Sequence, residues 1–284
     1  MITVFTPTYN RKEKLHNLYL SLLNQFNCDF EWLIVDDGST DGTKEFIEDI
    51  RTNSKIDINY YYKNNGGKQS AYNFALDKMK GDIFLCIDSD DIFNDDVLKI
   101  ISKDFENLDN NIAGIMYLQG NINVKDKIIG SEFPQNGFID TYYNIYNIHK
   151  VSGDKLIVLK SDVAKEYYFP IMENEKFIPE ALIFNRISKD YKFKCFNKIM
   201  AFKEYLDDGY SNNYFNLVKK NPNGNLLYFK ELYDFKKSFY NVYGYILFSI
   251  YASKRFKDII NNHSAKLKII FMYLPILVIS KIKK

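Results

Sequence analysis

The stretch Gly81-Asp82-Ile83-Phe84-Leu85-Cys86-Ile87-Asp88-Ser89-Asp90-Asp91 constrains this chain more than any other. Five apolar residues, 83–87, are too few for a helix and follow Gly81-Asp82, which predicts a buried strand. That strand runs directly into three carboxylates, Asp88, Asp90 and Asp91. In an open α/β sheet, ligands collect at the carboxyl ends of the strands. Carboxylates gathered there repel one another unless a cation or a donor-rich ligand sits among them. Oxygen-only ligands favour a hard ion, Mn²⁺ or Mg²⁺, of the kind that bridges diphosphates. Asp-Ser-Asp-Asp ahead of Ile92-Phe93 is also a good turn and helix cap, so the stretch alone leaves both readings open.

The preceding residues repeat one pattern. Residues 2–5 predict a strand that Pro7 stops, with Asn10 capping a helix over 11–26 on Leu15, Leu18, Leu22 and Leu23. Residues 30–35 predict a second strand, ending at Asp36-Asp37-Gly38-Ser39-Thr40-Asp41-Gly42, before a helix marked by Phe46, Ile47 and Ile50. Residues 58–62 predict a third strand, followed by Asn65-Gly66-Gly67-Lys68 and a helix over 71–79. Strands alternating with helices, each strand ending in a polar cluster, predict an α/β fold with a mostly parallel, nucleotide-binding sheet. All the unusual polar clusters then share one edge of that sheet.

Beyond the acidic cluster, the pattern predicts a helix at 97–107, a strand at 113–117, loops over 118–150, order again at 152–159, a helix at 181–189 and a strand at 193–204. The expected division is a domain at 1–224, with halves 1–117 and 118–224, and a helical tail at 225–284. Residues 236–284 hold ten Lys/Arg and a single acid, Asp258, a local charge of +9. The whole chain carries +2, so residues 1–235 carry −7. Residues 269–280 are mostly apolar and flanked by lysines, too short a run to span a bilayer. A basic amphipathic tail of this kind suits a membrane surface, or else it packs on the domain with its lysines solvated. With 46% hydrophobic and 26% charged residues, the composition is that of a soluble globular protein. Three scattered cysteines and an N-terminus without a basic, apolar leader fit the cytoplasm.

Several clusters admit two readings. Asp36 and Asp37 can accept from a base N–H or a ribose hydroxyl, or simply form a turn. Gly66-Gly67-Lys68 offers amides and a cation suited to phosphate, without the spacing of a P-loop. Glu180 can act as a general base or complement its helix dipole; Asp154, Asp207 and Asp208 compete for the first role. His149 is the one histidine placed to approach such a site.

Taken together, Thr6-Pro7-Thr8-Tyr9-Asn10, the Asp36–Asp41 run, Asn65-Gly66-Gly67-Lys68 and Asp88-Ser89-Asp90-Asp91 resemble, in order and spacing, the inverting family 2 glycosyltransferases of GT-A fold. Bacterial members that build capsular, exopolysaccharide or lipopolysaccharide units are the most similar. The resemblance implies that Pro7 and Tyr9 line the nucleotide site, with Tyr9 stacking on uracil and Asp37 meeting the base N–H of a UDP-sugar. It implies Lys68 near the nucleotide, Asp88 against the ribose, and Asp90 on a Mn²⁺ or Mg²⁺ ion that bridges the diphosphate. Where many members carry Glu-Asp, this chain reads Pro179-Glu180-Ala181, which makes Glu180 the implied base. The basic tail fits an acceptor anchored at the inner face of the cell membrane, a saccharide on a polyprenyl diphosphate or a lipid A core. No nucleic-acid partner is expected, and oligomeric state stays open. A nucleotidyltransferase would need a Gly-rich basic loop where Thr6-Pro7-Thr8 stands; an inactive transferase-like scaffold is the non-enzymatic alternative.

Overall fold

The computed structural model describes residues 1–25, 28–124, 127–203 and 214–282. In chain order its elements are β1 (Ile2–Thr8), α1 (Lys12–Leu23), β2 (Phe30–Asp36), α2 (Thr43–Asn53), β3 (Asp57–Tyr62), α3 (Lys68–Lys78) and β4 (Ile83–Cys86). There follow β5 (Asp91–Phe93), α4 (Val97–Phe105), β6 (Ile112–Asn121), β7 (Phe138–Asp140), α5 (Tyr142–Asn147), β8 (Lys155–Lys160), α6 (Ser161–Ala164), α7 (Ala181–Ile187) and β9 (Lys192–Lys203). The last elements among the described residues are helices: α8 (Tyr214–Lys220), α9 (Pro222–Phe235), α10 (Phe239–Tyr251), α11 (Phe256–Asn261) and α12 (Lys266–Ile282).

One sheet runs in the order β3-β2-β1-β4-β8-β6-β9-β5, with β7 also paired to β9. The first four strands are parallel, as the repeated strand–helix pattern predicts. Past β4 the sheet is mixed: β8 is antiparallel to both β4 and β6, β6 is parallel to β9, and β5 is antiparallel to β9. Residues 118–150 are more ordered than their polar composition predicts, since β6 runs on to Asn121 and β7 and α5 follow. A three-residue strand carries too little alternation to be seen in a sequence.

Two local expectations are corrected. Pro7 does not stop β1; it lies inside the strand opposite Val35. Thr8 C=O accepts from Asp37 N–H on the β2 side, and Phe5 C=O accepts from Ile87 N–H on the β4 side. Donor groups alternate along a strand, so the N–H that proline lacks would face β4, whose pairing ends at Phe5. Asn10 does not cap α1 either. It takes a left-handed φ of 50°, which asparagine tolerates, and its Oδ1 accepts from the Thr40 N–H at 2.8 Å.

The start of α1 is instead capped by Asp41, whose Oδ2 accepts from Lys12 N–H at 3.0 Å while Oδ1 accepts from the Thr43 hydroxyl at 2.6 Å. Burial opposes the charge on Asp41, but these hydrogen bonds outweigh it and hold the carboxyl below its ordinary pKa. Asp41→Ala is expected to cost about 1 kcal/mol in denaturant unfolding at neutral pH, the usual loss for such a cap. Because the folded pKa is lowered, the stabilisation is present above the unfolded pKa and fades as pH falls through the folded one. The difference between variant and wild type should shrink over that acidic range.

By compactness the chain forms two units, Met1–Phe169 with Arg186–Tyr205, and Pro170–Asn185 with Leu206–Lys284. In the first, Val4, Ile34, Leu85, Ile115 and Val158 from the sheet pack with Leu15, Leu18 and Leu22 of α1. Trp32 is fully buried there, donating its indole N–H to the Thr6 hydroxyl at 3.0 Å. The second unit is helical. Its core joins Val242, Tyr245 and Ile246 of α10 to Ile259, Ile269 and Ile276. The 175–178 segment is fastened to α9: Glu175 accepts from the Asn223 and Gly224 N–H groups at 2.8 and 2.9 Å, and Asn221 Oδ1 accepts from Lys176 N–H at 2.8 Å. Among the described residues no helix is long and apolar enough to cross a membrane.

Candidate active site

The parallel strands β1, β2 and β4 end side by side, and their carboxyl ends carry the polar clusters. At the end of β2 the two aspartates divide their work. Asp36 closes its own turn, accepting from the Gly38 and Ser39 N–H groups at 3.1 and 2.7 Å and from the Tyr60 hydroxyl at 2.7 Å. Asp37, almost fully buried, accepts from Gly66 N–H (2.9 Å), Gly67 N–H (2.7 Å) and the Lys63 ammonium (2.6 Å). The Gly66 and Gly67 amides are therefore committed to Asp37 and not to a phosphate, which corrects that expectation. An ionised carboxylate has about four acceptor sites; three protein donors leave room for one more.

Gly67, at φ 88°, turns the chain into α3 and sets Lys68 as its first residue. The Lys68 ammonium forms an ion pair with Asp88. Ile87 N–H bonds Phe5 C=O, extending the β1–β4 ladder by one residue, and Asp91 N–H bonds Asp88 C=O, making the turn that presents Asp88 and Asp90. The chain then enters β5, where Asp91 stands opposite Lys203 of β9. That register brings in a residue to which the sequence pattern assigns no role. Lys203 Nζ lies 3.7 Å from Asp88 and 3.0 Å from Asp154, so Asp154, a competing base candidate, is half of an ion pair.

Among the described residues the site thus brings together four acidic side chains, Asp88, Asp90, Asp91 and Asp154, and two ammonium groups, Lys68 and Lys203, with the Arg11 guanidinium also attracting Asp90. Burial would raise the Asp88 pKa, but Lys68 and Lys203 outweigh it and bring it down to about 2. Burial likewise opposes the charge on Lys203, and Asp88, Asp91 and Asp154 outweigh it, holding its pKa well above the ordinary lysine value. Asp90 is different. It is half-buried, pairs with no cationic side chain among the described residues, and has its pKa raised by burial and then by the charge of Asp88. Asp91, 2% exposed, accepts from Gln119 Nε2 at 3.1 Å through Oδ2, while Oδ1 is buried without a partner among the described residues. Burial and Asp88 raise its pKa strongly.

A half-buried carboxylate whose charge Lys203 and Arg11 offset only in part fits a divalent ion. No preformed cluster of three metal-ligating side chains occurs among the described residues. Mg²⁺-like ions bound with a nucleotide need none, because one or two carboxylates suffice when phosphate oxygens complete the shell. Asp90, which forms no ion pair among the described residues, can take that role, whereas Asp88 is held by two lysines.

The remaining expected residues fall in three places. Pro7 is buried in β1, and Tyr9 stands 49% exposed just beyond its end. Glu180 is exposed immediately before α7, in the helical unit, and Asp207 and Asp208 lie outside the described residues. His149 is not among the carboxylates; its Nε2 lies 2.9 Å from Asp140.

Residues 3–166 match the family model described as glycosyl transferase family 2. The chain belongs to glycosyl transferase family 2. It is thus grouped with the glycosyltransferases, as its four ordered motifs imply. It is 35% identical over 99 residues to the poly(ribitol-phosphate) β-N-acetylglucosaminyltransferase TarS of Staphylococcus aureus, covering 34% of this chain and 17% of TarS. It is 28% identical over 230 residues to the hyaluronan synthase of Pasteurella multocida, covering 78% of this chain and 22% of that one. The chain therefore spans about a fifth of these relatives' length. The crystal structure of S. aureus TarS 1–349 with UDP-GlcNAc superposes with a TM-score of 0.67 at 20% identity, covering 97% of this chain and 79% of that one. The fold is the GT-A fold, with a helical C-terminal extension.

Proposed function

We propose that this chain moves one sugar from a UDP-sugar to a saccharide acceptor, with inversion and with a divalent ion, in the synthesis of a cell-surface polysaccharide. The observation that carries the reading is Asp90: a half-buried carboxylate that forms no ion pair among the described residues and is held above its ordinary pKa by burial and Asp88, at the edge where β1, β2 and β4 end. A TarS structure of the same fold was solved with UDP-GlcNAc, and a Pyrobaculum calidifontis mannosyltransferase with GDP-Man and Mn²⁺. Both agree with a nucleotide-sugar donor.

In this reading Tyr9, exposed past β1, stacks on the uracil, and Asp37 uses its remaining acceptor site for the base N–H. Pro7 fixes the strand end from which Tyr9 projects. Lys68 and Lys203 hold Asp88 ionised, so that it can accept from a ribose hydroxyl. Asp90 would hold Mn²⁺ or Mg²⁺, which when bound neutralises the diphosphate and supplies Lewis acidity. Glu180 takes the proton from the acceptor hydroxyl, which attacks the anomeric carbon from the face opposite the leaving UDP. The C–O bond to the acceptor forms as the C–O bond to UDP breaks. The acceptor is a saccharide on a polyprenyl diphosphate, met at the inner face of the membrane.

The test is thermal stabilisation by UDP, GDP, CMP and dTDP, each with and without Mn²⁺. At about 100 times Kd a ligand contributes about 2.7 kcal/mol, here a rise of about 5 °C. That rise is expected with UDP and Mn²⁺ together, and little with either alone. A metal-independent response, or a stronger one to GDP, would overturn this donor assignment; no response to any nucleotide would favour an inactive scaffold.

A further inference from the structure

The last helix presents an outward face of large apolar side chains. Ile269 and Ile276 of α12 are buried in the core of the helical unit. On the opposite side Leu267, Ile270, Phe271, Leu274 and Val278 are exposed, with Leu267 at 73%, Phe271 at 80% and Leu274 at 69%. Positions 267, 270, 271, 274 and 278 form one stripe of a helix. Contiguous apolar exposure of this kind marks an interaction surface. Phe239 of α10, also exposed, lies beside Lys268, its ring centroid 4.9 Å from the ammonium.

The charges around the stripe identify what covers it. Lys266 and Lys268 stand one residue either side of Leu267, about 100° around the helix each way. Lys281 is exposed near the far end, beyond Val278. No acid occurs in α12, and Asp258, the one acid of residues 236–284, is held by Arg255 at 2.9 Å. A second copy of this face would bring like charges together. An anionic bilayer offers negative headgroups and apolar depth at once. At about 1.5 Å per residue, α12 is shorter than a bilayer's hydrocarbon core and carries lysines towards both ends, a pattern suited to the interface plane and not to a span.

We propose that α12 docks this chain on an anionic lipid bilayer. Its apolar stripe enters the headgroup–acyl boundary, and Lys266, Lys268 and Lys281 pair with the headgroups. Docking stands on the α12 face alone; only its purpose, reaching a lipid-carried acceptor, rests on the proposed function. The unit that docks is also the one that carries Glu180, on a segment fastened to α9 through Glu175. Membrane contact and the proposed base therefore belong to one compact body.

The test is co-sedimentation of the full chain with vesicles of phosphatidylcholine alone or mixed with phosphatidylglycerol. Binding is expected to the mixed vesicles and to weaken as salt rises. The double variant Phe271→Glu, Leu274→Glu, altered only at exposed positions, should bind at least tenfold more weakly. Each Lys→Gln change at 266, 268 or 281 should weaken binding about fivefold. Wild-type protein that ignores mixed vesicles, or a double variant that binds them as well as wild type, overturns the proposal. So does light scattering that finds a dimer dissolved by the double variant in the absence of vesicle binding, which assigns the face to a second copy. Stabilisation by UDP and Mn²⁺ should persist in the double variant; vesicle binding without that stabilisation supports docking and moves the fault to the donor assignment.

Discussion

Asp90→Ala is expected to remove metal-dependent sugar transfer while leaving the melting temperature at or slightly above that of wild type. The stability half follows from what Asp90 lacks. Among the described residues it forms no ion pair, and burial together with the neighbouring Asp88 charge outweighs the attraction of Lys203 and Arg11 and disfavours its ionised form. Removing it relieves the repulsion from Asp88 and gives up only a weaker attraction to Lys203 and Arg11 and a bond from its own backbone N–H. The activity half follows from what the carboxylate is free to hold. A metal ion acting on a leaving diphosphate contributes several kcal/mol to the transition state, and at about 1.4 kcal/mol per decade its loss is worth roughly a thousandfold in rate. The measurement pairs UDP release with a thermal melt of the metal-free protein. Wild-type turnover in the variant would move the ion elsewhere, and a melting temperature lower by many degrees would make Asp90 a structural residue.

Asp90 and its neighbours were legible because their signal is local. A short apolar strand delivering carboxylates at a sheet edge is written in eleven consecutive residues, and the same holds for Asp36-Asp37 and for Tyr9. What those residues bond to was not legible. Asp37 and the Gly66–Gly67 amides lie about thirty positions apart and satisfy each other, which only the parallel pairing of β2 with β3 and the turn after it bring about. Pro7 was misread for a related reason. Proline ends a strand only where its missing N–H is needed, and here β4 had already stopped pairing. Lys203 is the clearest omission. It is one lysine among many in a basic chain, and it reaches Asp88 through the antiparallel register of β5 with β9, two strands separated by a hundred residues. Loop closure over that distance leaves no periodicity to detect.

Lys203 is also where the second large effect is expected. Lys203→Met should destabilise the fold by about 2 kcal/mol and raise the KM for the nucleotide-sugar about tenfold. Truncating one partner of a fully buried ion pair costs about 3–5 kcal/mol. The cost here is smaller because Asp88 keeps Lys68 and because the Asp154 side chain is 52% exposed and can be solvated. At the site, Lys68 would then be the one ammonium group left beside Asp88 among the described residues, and an incoming diphosphate would meet more negative charge. The weaker binding should be partly recovered by raising Mn²⁺, which replaces the missing positive charge; a purely structural defect would not respond. Lys203→Arg keeps the charge and should retain most of the stability and of the affinity. Equilibrium unfolding and initial rates across a range of UDP-sugar and Mn²⁺ concentrations check both halves. If Lys203→Met matched wild type in KM while losing stability, the β5–β9 pairing would serve the sheet alone, and the charge balance around Asp88 would rest on Lys68.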